Sequence, residues 1–171
     1  MQHTEKIEKY RLLTEQLKAL LEGETDAIAA MANVAAAIHE SMHFFWTGFY
    51  RVVPLPAAVR RSGGQAADAS TCELLLGPFQ GPVACMHIGY GRGVCGTAWQ
   101  EKRTVVVDDV EQFPGHIACS SLSRSEIVVP VFDGDGRVNA VLDIDSTSLA
   151  TFDAIDREWL ERIASLLSAS C

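Results

Sequence analysis

Five cysteines stand at positions 72, 85, 95, 119 and 171, an odd count with gaps of 13, 10, 24 and 52 residues. No CxxC pair occurs, so neither a zinc knuckle nor a thioredoxin-type redox motif is written here. Thiols scattered in this way are either small apolar core residues or reactive groups. Two settings favour reactivity. Cys95 lies in Gly91-Arg92-Gly93-Val94-Cys95-Gly96 and heads a short helix expected over residues 94–100, where free amides and the helix dipole would favour a thiolate. Cys119 lies in Phe113-Pro114-Gly115-His116-Ile117-Ala118-Cys119-Ser120-Ser121, a loop of small polar residues that leaves a thiol accessible. Carboxylates complete the set. In Val141-Leu142-Asp143-Ile144-Asp145 the alternation puts Asp143 and Asp145 on one strand face and Leu142 and Ile144 on the other, and Glu126 stands on a neighbouring apolar run. Carboxyls on the floor of a pocket take raised pKa values and can donate protons. Trp46 and Tyr50 offer aromatic walls. His116 could join Cys119, Cys85, His87 or Cys95 around a metal, but no metal-ligand spacing is present and no metal or cofactor is expected.

The GxGxxG match at residues 91–96 does not read as a dinucleotide site. It lies in mid-chain without an early βαβ unit, and the surrounding sheet reads as antiparallel. Its glycines are better suited to close backbone approach to a small ligand.

These residues need a scaffold, and the composition supplies one. The chain has 171 residues, 48% hydrophobic and 21% charged, enough for a packed core in a single domain over 1–171. Its net charge of −8 repels phosphate backbones and anionic headgroups, so nucleic acid and membrane surfaces are poor partners. No apolar run could span a bilayer, and the first residues lack a signal-peptide pattern, so a cytoplasmic protein is expected.

Helical patterning occupies both ends: residues 1–22, stopped near Gly23; a second helix capped by Thr25 or Asp26; and a last one capped by Asp153. These helices could bundle, across a homodimer, or cover one face of a sheet. Short strands lie between them, at 47–53, 73–78, 104–107, 127–132 and 138–145, with a weaker one within 82–88. Asp133-Gly134-Asp135-Gly136 is a hairpin turn, and residues 54–70 read as a surface insertion. The fold class is α+β.

Taken together, Trp46-x-Gly48-Phe49-Tyr50, residues 76–81 (LGPFQG), Cys85, Gly91-x-Gly93-Val94-Cys95-Gly96, Cys119, residues 125–130 (SEIVVP) and Leu142-Asp143-Ile144-Asp145-Ser146 resemble the free methionine-R-sulfoxide reductases, which are GAF-fold enzymes. The resemblance covers residues 25–165 and implies an antiparallel sheet of about six strands, flanked by N- and C-terminal helices, around an enclosed pocket. It implies free methionine sulfoxide as substrate and thioredoxin as reductant, in the cytoplasmic defence against oxidative stress. A thiolate would attack the sulfoxide sulfur, and the resulting sulfenic acid would condense with a second thiol to a redox-active disulfide. Cys119 is the expected nucleophile and Cys85 the resolving thiol, with Cys95 a helper or alternative nucleophile. Glu126 and Asp143 would protonate the oxygen, Asp145 would hold the ammonium, and Trp46 and Tyr50 would enclose the methyl-sulfinyl end. Cys72 and Cys171 read as bystanders. The alternative is a non-catalytic GAF sensor of a small molecule, or a thiol-based redox sensor. The small-molecule sensor gives three cysteines no role and would call for an output domain.

Overall fold

The computed structural model describes residues 3–55, 71–116 and 120–169. Its elements are α1 (His3–Leu21), α2 (Ala27–Met42), β1 (Trp46–Pro54), β2 (Cys72–Gln80), β3 (His87–Ile88), α3 (Gly93–Glu101), β4 (Val105–Val107), β5 (Ser125–Phe132), β6 (Val138–Ser146) and α4 (Ala154–Ser165). The six strands form one antiparallel sheet in the order β3-β2-β1-β6-β5-β4. This is the expected α+β architecture. Most of the 54–70 insertion, together with Cys119 and Cys171, lies outside the described residues.

The period of two along the central strands sorts their side chains into two cores. Phe49, Ile127, Val129, Val131, Leu142 and Ile144 pack beneath α1, α2 and α4, with Tyr10, Leu13, Met31, Val34, Ile38, Leu160 and Ile163 opposite them. The terminal helices therefore cover one sheet face. Their ends follow local chemistry. Asp26 caps α2 by accepting from the Ala29 amide, and Asp153 with Asp156 forms a capping box on α4. Buried Asp156 accepts from the Tyr10 hydroxyl at 2.8 Å and pairs with Lys6, fastening α1 to α4.

The other face carries Trp46, Tyr50, Leu74, Val128 and Val141 against α3, through Val94, Cys95, Ala98 and Trp99. Strand pairing in the 82–88 segment is confined to His87–Ile88, and the irregular stretch before it is tied to β2 by the Leu76 amide, which donates to the Met86 carbonyl. In the β5–β6 hairpin the Asp133 amide donates to the Arg137 carbonyl, and the Gly136 amide to that of Asp133. Among the described residues no helix is long and apolar enough to cross a membrane.

Candidate active site

Register on the second sheet face gathers the chemistry. Trp46, Asp145 and Glu126 lie opposite one another across β1, β6 and β5, and Gly48, Asp143 and Val128 form the next row. Three carboxyls thus share one small area because pairing and pleat leave them nowhere else to point. All three line a cavity, along with Cys95, Trp46, Tyr50, Arg92 and His116.

Gly48 makes room for the aromatic wall. A Cβ there would run into Phe79 and come within 2.5 Å of the Trp46 ring, so only glycine lets the indole fold across the strand. The ring stacks on Phe79 at 5.4 Å and on Tyr50 at 6.1 Å. Its Nε1 donates to the Pro82 carbonyl at 3.0 Å, and the Tyr50 hydroxyl donates to the Cys85 carbonyl at 3.0 Å. The two aromatic residues therefore do more than enclose the cavity: they hold the backbone that carries Cys85. Cys85 itself is half-buried and adjoins the lining residue Ala84 without lining the cavity.

The glycine loop works differently from the expectation of ligand contact along its length. A Cβ on Gly96 would lie 2.5 Å from the Gly89 carbonyl oxygen, and one on Gly91, at φ +70°, would meet the Gln100 side chain. These glycines let the loop pack onto α3, and of the segment 91–96 only Gly93 among its glycines lines the cavity, beside Arg92, Val94 and Cys95.

Cys95 corrects the sequence reading. It sits in the first turn of α3, but burial and the neighbouring Asp143 and Glu126 push its thiol well up, so the helix dipole does not make it a thiolate. Its Sγ lies 4.0 Å from Glu126 Oε1. Burial, then the charges of Asp143 and Asp145, raise Glu126 well above the usual carboxylate range. Burial and Asp145 do the same to Asp143. Asp145 is raised by burial to about 6, with a Ser123 hydrogen bond opposing the shift. His116 Nδ1 is 4.0 Å from Glu126 Oε2, but burial lowers the imidazole and raises the carboxyl, so the two face each other neutral rather than as an ion pair. Asp143 Oδ1 is buried with no hydrogen-bond partner among the described residues. Such an atom awaits a ligand or a water.

Of the expected site residues, Trp46, Tyr50, Cys95, Glu126, Asp143 and Asp145 converge. Cys119 lies outside the described residues, while His116 and Ser120 on either side of that gap line the cavity. His87 is exposed and pairs with Glu73, away from the cavity. Cys72 opens β2 and lies away from it too. Sequence reasoning gave no role to Arg92, although among the described residues it is the only arginine or lysine on the lining, or to Ser123, the partner of Asp145. The cue for Arg92 was a lone cation inside a glycine loop.

Comparison with known proteins agrees with this architecture. The GAF domain family model matches residues 24–170. GAF domain-containing protein A of Dictyostelium discoideum is 51% identical over 95% of this chain and 92% of its own length. Free methionine-R-sulfoxide reductase of Saccharomyces cerevisiae is 39% identical over 90% of this chain and 81% of its own. The X-ray structure of free methionine-R-sulfoxide reductase from Neisseria meningitidis in complex with its substrate superposes with a TM-score of 0.80 at 47% identity, covering 94% of this chain and 89% of that one. With the GAF model matched over most of its length and reductases of this kind aligned along nearly all of it, this chain belongs to the GAF-domain family of free methionine-R-sulfoxide reductases.

Proposed function

We propose that this protein reduces free L-methionine-(R)-sulfoxide to methionine, using a cysteine thiolate and thioredoxin as the final reductant. The observation that carries the reading is the meeting of Glu126 and Asp143, whose carboxyls burial pushes well above the usual range, beneath the Trp46–Tyr50 wall, with Asp143 Oδ1 lacking a partner among the described residues. A neutral carboxyl can donate a proton, which sulfoxide oxygen needs on leaving. The substrate named for the relatives is the free amino acid, and the cavity offers a group for each end of it. Asp145, ionising near 6, takes the ammonium, and Arg92 at the exposed rim takes the carboxylate.

Cys119 is the nucleophile of this proposal. Its thiolate attacks the sulfoxide sulfur, and Glu126 and Asp143 protonate the oxygen, which is transferred to sulfur as Cys119 sulfenic acid while methionine departs. Cys85 then displaces that oxygen as water, forming a Cys85–Cys119 disulfide, and thioredoxin reduces it with two electrons. The raised thiol of Cys95 supports giving attack to Cys119 and keeping Cys95 as a neutral neighbour of the acids. The cavity opens to solvent past the exposed Val83 and Arg92, which gives a ligand a way in.

A thioredoxin-coupled assay following NADPH, run with separated sulfoxide epimers, tests the proposal. The free R epimer is expected to turn over, and the S epimer and an N-acetylated, amidated sulfoxide are not. Comparable turnover of the blocked compound overturns the reading.

A further inference from the structure

Cys95, Glu126 and Asp143 also form a cluster that the reductase chemistry does not exhaust. One ligand atom from each, a sulfur and two carboxyl oxygens, lies within 4.8 Å of the others. The three residues are 4%, 6% and 7% exposed, so these are not surface acids in solvent. A second observation is independent of the clustering: Asp143 Oδ1 is buried without a hydrogen-bond partner among the described residues.

The donor set points to a class of ion. Magnesium and calcium take shells of six or more oxygens, whereas a sulfur ligand beside two carboxylates suits zinc, whose four-coordinate shell a water can complete. Zinc bonds of about 2.0–2.3 Å put tetrahedral ligands roughly 3.3–3.8 Å apart, so the three atoms need close by at most about 1–1.5 Å. Binding releases the protons of Cys95, Glu126 and Asp143, and the divalent charge then offsets the repulsion among the anions left in low dielectric. We propose that Cys95, Glu126 and Asp143 bind a divalent cation of the zinc class, and that this ion shuts the active site. The second half rests on the reductase reading. An ion held there takes the position of the sulfoxide oxygen and leaves both carboxylates unable to donate protons to it.

The test uses the full chain, reduced, with cobalt(II) as a spectroscopic probe and zinc(II) as competitor. One equivalent of cobalt should produce thiolate-to-metal charge-transfer absorption, and zinc should abolish it. The absorption should persist in Cys72→Ser and Cys85→Ser and vanish in Cys95→Ser. Asp143→Asn, checked for an unchanged melting profile, should weaken cobalt binding at least tenfold. Zinc should suppress the methionine formed in a single turnover, and added free sulfoxide should raise the zinc needed. No charge-transfer absorption in the wild type, or its survival in Cys95→Ser, overturns the metal site. Intact sulfoxide reduction beside such a failure leaves the reductase reading standing. A Cys95-dependent cobalt site in a protein that reduces no free sulfoxide refutes that reading and the blocking role instead.

Discussion

The Cys95 sulfur lies 4.0 Å from Glu126 Oε1, and burial drives both groups toward their protonated forms. A thiol at the head of a helix is ordinarily a candidate thiolate, yet here the acids beneath it and the loss of solvent outweigh the dipole. The cysteine roles follow from that balance. Cys119→Ser should form no methionine even in one turnover. Cys85→Ser should form one methionine per chain, accumulate a sulfenic acid that dimedone traps, and cycle poorly with thioredoxin. Cys95→Ser should retain the burst. Quenched-flow measurement of methionine checks all three, and a burst from Cys119→Ser with none from Cys95→Ser would reverse the assignment.

Replacing Glu126 or Asp143 by its amide should slow the single-turnover rate roughly ten- to ten-thousand-fold, the span of a lost general acid. Each amide matches the neutral carboxyl in shape and charge, so thermal melting near pH 7 should barely change. Wild-type rates in both variants would remove these residues from the mechanism.

Asp145 links pH to both stability and binding. Its ordinary value of 3.8 rises to about 6 on burial. An acid raised by folding costs nothing below pH 3.8, where it is protonated folded or unfolded, and destabilises as pH climbs through 6. Asp145→Asn should therefore leave the melting temperature unchanged at pH 4 and raise it above pH 7, by up to about 3 kcal/mol in stability. The same variant should lose affinity for the substrate ammonium. In the wild type kcat/KM should fall as pH drops below 6, and Asp145→Asn should flatten that limb. A gain at pH 4 as large as that at pH 8 would contradict the account.

Arg92 caps α3 by position but makes no side-chain capping bond, and it faces the cavity from the rim. Arg92→Ala should raise KM for free sulfoxide about tenfold, equivalent to roughly 1.4 kcal/mol, with kcat held. A matching fall in kcat at constant KM would point to a different role.

Two glycines should separate folding from binding. Gly96→Ala places a methyl 2.5 Å from the Gly89 carbonyl, a backbone atom, and should cost about 1–3 kcal/mol in chemical denaturation. Gly48→Ala meets the far edge of the Trp46 ring, which can turn, and Phe79 Cβ, which the paired strand holds, so the protein should lose some stability along with the indole stack. Loss of substrate binding together with altered tryptophan fluorescence is the expected readout, and unaltered kinetics would mean that the Trp46 stack is not needed.

Much of this architecture was written locally. Alternation in residues 141–145 alone assigned Asp143 and Asp145 to the face opposite Leu142 and Ile144, since a strand offers its side chains only two directions. Asp26, Asp153 and the Asp133–Gly136 turn were legible because caps and tight turns are decided by residues within one turn of each other. Other features depend on distance in space. Register across β1, β6 and β5, which brings Trp46, Asp145 and Glu126 into one row, joins residues up to 99 positions apart. The Cys95 thiol shows the consequence: the helix start favouring a thiolate is visible in sequence, while burial and the two acids that reverse it come from other strands. Gly96 likewise reads as a ligand-loop glycine until the fold sets the Gly89 carbonyl against it. Short-range stereochemistry determined the elements and the faces of their residues; solvent exclusion and charge proximity, which exist only after the sheet has paired, decided which groups hold protons.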